Sequence, residues 1–188
     1  MMAQRSDAMT IDAVELDDYA YEQTVGNFEQ SDWGDRLFCY HSSFQEFAEE
    51  MSEEEETYDV IVSNPPFYND AFESEDKARN KARFTSALSF EELLSGVSKI
   101  LAEQGVFSTI IPYKEEDHFV ELAQRYHLNL CRVCRVKGNS KSAIKRSLLA
   151  FSFKAVEHLE PEELIIEMAR HQYTDAYINL TKNFYLKM

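Results

Sequence analysis

Cysteine and long apolar runs are scarce in this chain of 188 residues. Three cysteines are too few, and odd in number, for a framework of disulfides. Cys131 and Cys134 form a single C-x-x-C, but without a second pair it does not predict a metal or redox site, and a strand would point the two to opposite faces. No apolar run approaches the about 20 residues of a bilayer-spanning helix, and residues 1–10 lack the layout of a signal peptide. These absences predict a cytoplasmic protein without a membrane partner or a metal.

The chain is long enough for one domain with a sizeable core, and hydrophobic residues make up 44% of it. Because we see no linker and no repeat, we expect a single domain spanning residues 1–188. Strand and helix patterns alternate, and two β-rich runs close the body, followed by a short helical piece from Pro161. The strands are predicted at residues 10–16, 36–40, 58–63, 106–111, 128–136 and 147–156. This order is typical of an open α/β sheet that is mostly parallel with one reversed strand.

The net charge of −15 at pH 7 is distributed unevenly. Residues 1–60 hold 17 acids and two bases, whereas residues 61–188 hold 17 of each. Two later stretches, 77–90 and 122–156, contain no acid at all. Such stretches can bind phosphate groups beside an acidic body, although a solvated basic surface gives the same pattern. Their candidate phosphate-binding residues are Lys77, Arg79, Lys81, Arg83, Lys141, Lys145 and Arg146.

A stiff turn, Asn64-Pro65-Pro66-Phe67, follows the strand predicted at 58–63, which reads as buried because it is apolar. The two prolines fix their own φ angles and remove two backbone donors. The groups that remain are acceptors, namely the Asn64 side-chain oxygen and nearby carbonyls. The ring of Phe67 adds a flat surface on which a base can stack.

A turn of this kind suits the alkylation of an exocyclic amine, whose lone pair is delocalised into its ring. Two acceptors that hold its two N–H groups would favour a pyramidal nitrogen with the lone pair facing an electrophilic methyl group. They would also stabilise the positive charge that develops on nitrogen. An ordinary rigid turn is the alternative, but the apolar strand and the flanking Asn64 and Phe67 favour the amine site.

Glu15 ends the first predicted strand. In open parallel sheets ligands bind beyond the carboxyl ends of the strands, so Glu15 and Asn64 are predicted to lie at the same edge. A carboxylate in that position can accept hydrogen bonds from ribose hydroxyls. A helix-capping or surface acid is the alternative.

Residues 61–67 match the signature of amino-group methyltransferases that use S-adenosylmethionine. Several longer stretches resemble a narrower family, the bacterial tRNA1(Val) (adenine(37)-N6)-methyltransferases: 11–17, 88–94, 145–151, 170–178 and 180–186. The similarity covers nearly the whole chain. It implies a Rossmann-like class I methyltransferase fold, S-adenosylmethionine as the cofactor, and methyl transfer to N6 of an adenine beside the tRNA anticodon.

The resemblance also implies a role for each candidate residue. Asn64 and the Pro65 carbonyl, with Pro66, would hold the amine, and Phe67 would stack on a base splayed from its loop. The cofactor would be bound by Asn64 and Glu15, and by Ser42 and Ser43, which stand where relatives often have an acid. The basic residues of 77–83, with Lys141, Lys145 and Arg146, would meet tRNA phosphates.

One departure concerns the Gly-rich loop with which such enzymes bind the amino-acid end of the cofactor. No two of the five glycines share such a motif: Gly26, Gly34, Gly96, Gly105 and Gly138. Residues 1–6 resemble the end of the helix that follows the loop, so we expect the chain to begin inside that helix, truncated at its N-terminus. Two other functions stay open, a noncatalytic tRNA-binding remnant and a protein glutamine-N5 methyltransferase. The basic stretches favour a tRNA partner over a protein.

Because the Gly-rich loop is absent from the sequence, we predict that this chain binds S-adenosylmethionine weakly or not at all. Isothermal titration calorimetry of the 188-residue chain measures the affinity directly. A dissociation constant in the micromolar range would contradict the prediction.

Overall fold

The computed structural model describes residues 1–65 and 88–185. They belong to two compact units, Met1–Glu56 and Thr57–Met188, each with its own sheet. The single domain predicted for residues 1–188 stays a prediction.

The first unit is built on two parallel strands, which pair in register from Ile11 opposite Leu37 to Glu15 opposite His41. The guanidinium of Arg36, just before the second strand, donates hydrogen bonds to carbonyl oxygens of the N-terminal segment, including that of Ala3 at 2.6 Å. The elements in chain order are α1 (Met2–Arg5), β1 (Ile11–Glu15), α2 (Asp18–Glu29), a 3-10 turn (Gly34–Arg36), β2 (Leu37–His41) and α3 (Phe44–Glu53).

The second unit contains a six-stranded sheet in the order β3-β4-β6-β5-β7-β8. Its strands are β3 (Tyr58–Ser63), β4 (Leu101–Pro112), β5 (Asn129–Asn139), β6 (Ile144–Ser152), β7 (Glu162–Ala169) and β8 (Gln172–Tyr173). Its described helices are α4 (Phe90–Ile100), α5 (Glu116–Arg125) and α6 (Asp175–Thr181), with a 3-10 turn at Tyr113–Glu115. Across residues 1–65 and 88–185, every helix falls short of the length and apolar character that bilayer crossing requires.

The strand directions confirm the predicted fold class. β3 pairs parallel with β4, and β5 pairs parallel with β7. Between β4 and β5 lies β6, which is antiparallel to both and is the reversed strand that the sequence predicts. The two-residue β8 is a second antiparallel strand, which pairs with β7 at the far edge.

The core of the second unit joins α4 and α5 to the sheet. Helix α4 begins with a capping box between Ser89 and Glu92, and its apolar stripe is buried. The ring of Phe119 on α5 lies 5.7 Å from that of Phe151 on β6, which in turn stacks 6.1 Å from Phe107 on β4. These three fully buried rings fix the helices against one face of the sheet.

Two predictions about individual segments are wrong. The strand at 58–63 has the predicted bounds, but Val60 and Val62 are 54% and 59% exposed. Within the described residues β3 pairs with β4 alone, so its apolar character does not bring burial. The segment after Pro161 is the strand β7 and not a helix, because its Leu-Ile-Ile run pairs with β5 and β-branched side chains suit a pleated surface.

Ion pairs neutralise part of the second acid-free stretch. Three cations of β5 pair with acids that lie outside residues 122–156, on α5 and β7. The pairs are Arg132 with Glu162 (2.6 Å), Arg135 with Glu116 (2.7 Å) and Lys137 with Glu163 (2.6 Å). The stretch is therefore less basic in space than in sequence, because its acids come from other elements.

We predict that Arg132→Gln raises the pKa of Glu162. A hydrogen bond from Arg132 holds the pKa of the Glu162 carboxyl below its usual value, so losing the guanidinium returns the pKa toward normal. NMR titration of the side-chain carboxyl carbons measures the change. Lys137→Gln is the matched control, since Lys137 pairs with Glu163 and its loss leaves the pKa of Glu162 lowered. An unaltered Glu162 pKa in Arg132→Gln would contradict this assignment.

Candidate active site

Asn64 lies immediately beyond the carboxyl end of β3, where its side chain is exposed. Ser63 is paired with Thr109 of the parallel strand β4, so Asn64 is level with Ile110. The next residue, Pro65, is buried. The buried ring restrains the backbone beside an accessible carboxamide, and the role of Asn64 and Pro65 toward an amine stays a prediction.

A cavity of about 760 Å³ opens on the side of Asn64. Its walls are mainly apolar, with side chains from β3, β4, β6, β7 and α6, namely Val62, Ile110, Leu148, Leu164 and Leu180. Polar groups converge on it from Asn64, Ser63 and the ion pair of Arg132 with Glu162. An apolar cleft of this volume with a few polar groups is typical of small-molecule sites.

Exposed cations lie at the same edge of the sheet as Asn64. Arg146, near the start of β6, is opposite Pro112, the last residue of β4. Lys145 precedes it, and Lys141 lies in the turn between β5 and β6. Because β3 and β4 run parallel, the structure brings these three predicted phosphate-binding residues to the edge at which Asn64 lies.

The other predicted residues of this site lie outside the described residues. They are Pro66, Phe67, Lys77, Arg79, Lys81 and Arg83. Their roles stay predictions.

Glu15 lies at the end of β1 in the first unit, as predicted. Its Oε1 accepts hydrogen bonds from the backbone N–H groups of Leu16 (2.9 Å) and Asp17 (3.0 Å). These bonds hold the carboxylate at the strand end and leave Oε2 to accept from another donor. The role of Glu15 toward a ribose stays a prediction.

Ser43 caps helix α3. Its hydroxyl donates to Glu46 Oε2 at 2.7 Å, which lowers the pKa of the Glu46 carboxyl, and accepts from the Glu46 N–H at 3.2 Å. The hydroxyl of Ser42 donates to the Ser43 carbonyl at 3.1 Å. A ligand would therefore compete with the cap at Ser43, and the cofactor role of both serines stays a prediction. The Ser-x-x-Glu spacing was the local signal for this cap.

A buried polar cluster beyond β4 was missed from the sequence. The Glu116 carboxylate, 6% exposed, accepts hydrogen bonds from the fully buried Ser147 hydroxyl and from Arg135. The hydrogen bond with Glu116 raises the pKa of Arg135. The guanidinium of Arg135 also lies over the Tyr113 ring, 5.4 Å from its centroid. An acid in the first turn of a helix reads as a solvated residue, so only the fold reveals that Glu116 is buried.

The comparisons with known proteins agree with this geometry. No protein-family model matches the sequence. A protein of Flavobacterium johnsoniae named tRNA1(Val) (adenine(37)-N6)-methyltransferase is 53% identical over 188 residues, which are all of this chain and 79% of that protein. A protein of Christiangramia forsetii with the same name is 50% identical over all of this chain and 78% of its own length.

A solved structure of similar fold supports the architecture. It is the predicted O-methyltransferase Atu636 from Agrobacterium tumefaciens, with a TM-score of 0.69 over 96% of this chain and 80% of that one. At 15% sequence identity the likeness shows the fold alone, which is the Rossmann-like class I methyltransferase fold. Since full-length relatives at 53% and 50% identity share one name, the chain belongs to the tRNA1(Val) (adenine(37)-N6)-methyltransferase family.

Proposed function

We propose that the protein transfers a methyl group from S-adenosylmethionine to the exocyclic N6 of adenine 37 in tRNA1(Val), in the cytoplasm. The observation that carries this proposal is the exposed Asn64, held at the carboxyl end of β3 on the wall of a mainly apolar cavity of about 760 Å³. The names of the relatives supply the substrate, because they specify this reaction.

In this proposal the turn after β3 orients the amine. The Asn64 Oδ1 accepts one N–H of N6 and the Pro65 carbonyl accepts the other, so the nitrogen lone pair faces the methyl donor. A new N–CH3 bond forms as the sulfonium S–CH3 bond breaks, and the nitrogen then releases one proton to solvent. Both acceptors stabilise the positive charge that N6 carries before that proton leaves. Pro66 keeps the turn rigid, and Phe67 stacks on the base.

S-adenosylmethionine supplies the electrophilic methyl group when it is bound. The residues present fit its ribose, because two backbone N–H groups hold Glu15 at the strand end while its Oε2 remains an acceptor for hydroxyl donors. Asn64, Ser42 and Ser43 complete the proposed cofactor set. Of these, Ser43 contributes least, because its hydroxyl already caps α3.

The tRNA backbone binds along the cations at the edge of the sheet. Lys141, Lys145 and Arg146 are exposed, and each can neutralise one phosphate. The proposed phosphate contacts also include the basic residues of 77–83, namely Lys77, Arg79, Lys81 and Arg83. Arg132, Arg135 and Lys137 contribute less, because each is paired with an acid.

A methyl-transfer assay tests the proposal. The chain is incubated with labelled S-adenosylmethionine, at a concentration raised to offset the weak cofactor binding predicted above, and one of three acceptors: unmodified tRNA1(Val), the same tRNA with guanine at position 37, or total cell protein. We expect label in the first acceptor only. Label in protein would instead indicate the glutamine-N5 methyltransferase, and salt-sensitive tRNA binding without label would indicate the noncatalytic remnant.

In the same assay, we predict that Asn64→Ala lowers the rate of methyl transfer by about 100-fold or more, because one of two preorganised acceptors is lost. Asn179→Ala is the matched control, since Asn179 also lines the cavity but lies on α6. An Asn64→Ala variant as active as Asn179→Ala would contradict the role of the turn.

A further inference from the structure

We propose that Tyr113 is a stacking platform for the base next to the target adenine, an inference that rests on the proposed function and extends it to substrate positioning. Nothing in the sequence distinguishes this tyrosine from the other nine. Its neighbours in the fold do.

The first argument is position. Tyr113 directly follows Pro112, the last residue of β4, at the edge where Asn64 follows β3. Since Ser63 pairs with Thr109, Tyr113 lies three residues beyond the level of Asn64, or about 10 Å along the strand direction. A loop nucleotide adjacent to one held at Asn64 can span such a distance when its bases are splayed.

The second argument is the ring itself. The Arg135 guanidinium lies over the ring of Tyr113, and the residue is still 38% exposed. One face is therefore covered by a cation, while the ring still offers an open surface to solvent. A cation–π contact restrains the ring, and a restrained aromatic surface binds an unstacked base at a small cost in side-chain entropy.

The third argument is how firmly Arg135 is held. Its Nη2 and Nε donate to Glu116 Oε1 at 2.7 and 3.2 Å, and the fully buried Ser147 donates to the other carboxylate oxygen. Even when fully buried, an ion pair seldom stabilises a fold more than apolar packing does, and here only the Glu116 carboxylate is buried. Its geometry here fixes the guanidinium under Tyr113, and so fixes the direction in which the ring faces.

The charge around Tyr113 also suits a nucleotide. Arg146 is exposed and is paired in register with Pro112, the residue before Tyr113. Lys114 follows Tyr113 and is exposed, but it pairs with Glu115 at 3.7 Å and so contributes less. A base that stacks on the ring therefore has the exposed Arg146 on the neighbouring strand to meet a phosphate.

The test is fluorescence anisotropy of the full chain with a labelled, unmodified anticodon stem-loop of tRNA1(Val). We expect Tyr113→Ala to weaken binding about tenfold and Tyr113→Phe to bind within about twofold of the parent, because stacking needs the ring and not the hydroxyl. Tyr113→Leu keeps apolar volume without an aromatic face, so it should also lose about tenfold. Tyr126→Ala is the control, since Tyr126 follows the far end of α5. Circular dichroism confirms that each variant is folded.

A second set of stem-loops identifies the base. Each carries an abasic site on one side of adenine 37. For one of the two abasic loops, we expect binding to the parent chain to be about tenfold weaker than that of the intact loop. Tyr113→Ala should bind this abasic loop and the intact loop equally, because the ring on which the base stacks is already missing. The inference would be overturned if Tyr113→Leu bound the intact loop as tightly as the parent does. It would also be overturned if, for both abasic loops, the losses of affinity from Tyr113→Ala and from the missing base were additive. Neither result would contradict the proposed methyl transfer. A parent chain that neither bound nor methylated tRNA would overturn the proposed function itself.

Discussion

The parallel pairing of β3 with β4 determines where the candidate residues of the second unit lie. Because Ser63 is opposite Thr109, both strands end at one edge, and the residues that follow them share it. Asn64 and Tyr113 are brought together in this way although 48 residues separate them in the chain. The antiparallel strand β6 then starts at the same edge and adds Arg146 opposite Pro112. One register thus assembles an amide acceptor, an aromatic ring and a cation.

Electrostatics at this edge depend on acids that lie far away in the sequence. Glu116, Glu162 and Glu163 each neutralise a cation of β5, so the exposed positive charge shifts toward the β5–β6 turn and the start of β6. The exposed cations of this region are Lys141, Lys145 and Arg146, which suit contact with a phosphate backbone. The hydrogen bonds of Glu116 have a different role, because Glu116 and Ser147 are buried. They orient Arg135 against the ring of Tyr113 and add no charge to the surface.

Local patterns predicted the strand ends well and long-range contacts poorly. The bounds of β3 follow from an apolar run that prolines end, and both signals act locally. The exposure of Val60 could not be predicted, because an apolar sequence shows that a strand can be buried but not which elements pack against it. The segment of β7 was predicted to be helical because its pairing with β5 is a long-range contact that local sequence patterns do not show. The hydrogen bonds between Arg135 and Glu116 join two elements and residues 19 positions apart, which is too far for helical or strand periodicity to predict.

Photo-crosslinking tests most directly the claim that the carboxyl edge of β3 and β4 receives the tRNA loop. A tRNA1(Val) anticodon stem-loop with a photoreactive adenine at position 37 is irradiated with the full chain, and the adducts are mapped by mass spectrometry. The predicted adducts lie on the peptides that contain Asn64 and Tyr113. Adducts confined to the opposite edge of the sheet, around Gly105 or Tyr126, would contradict it.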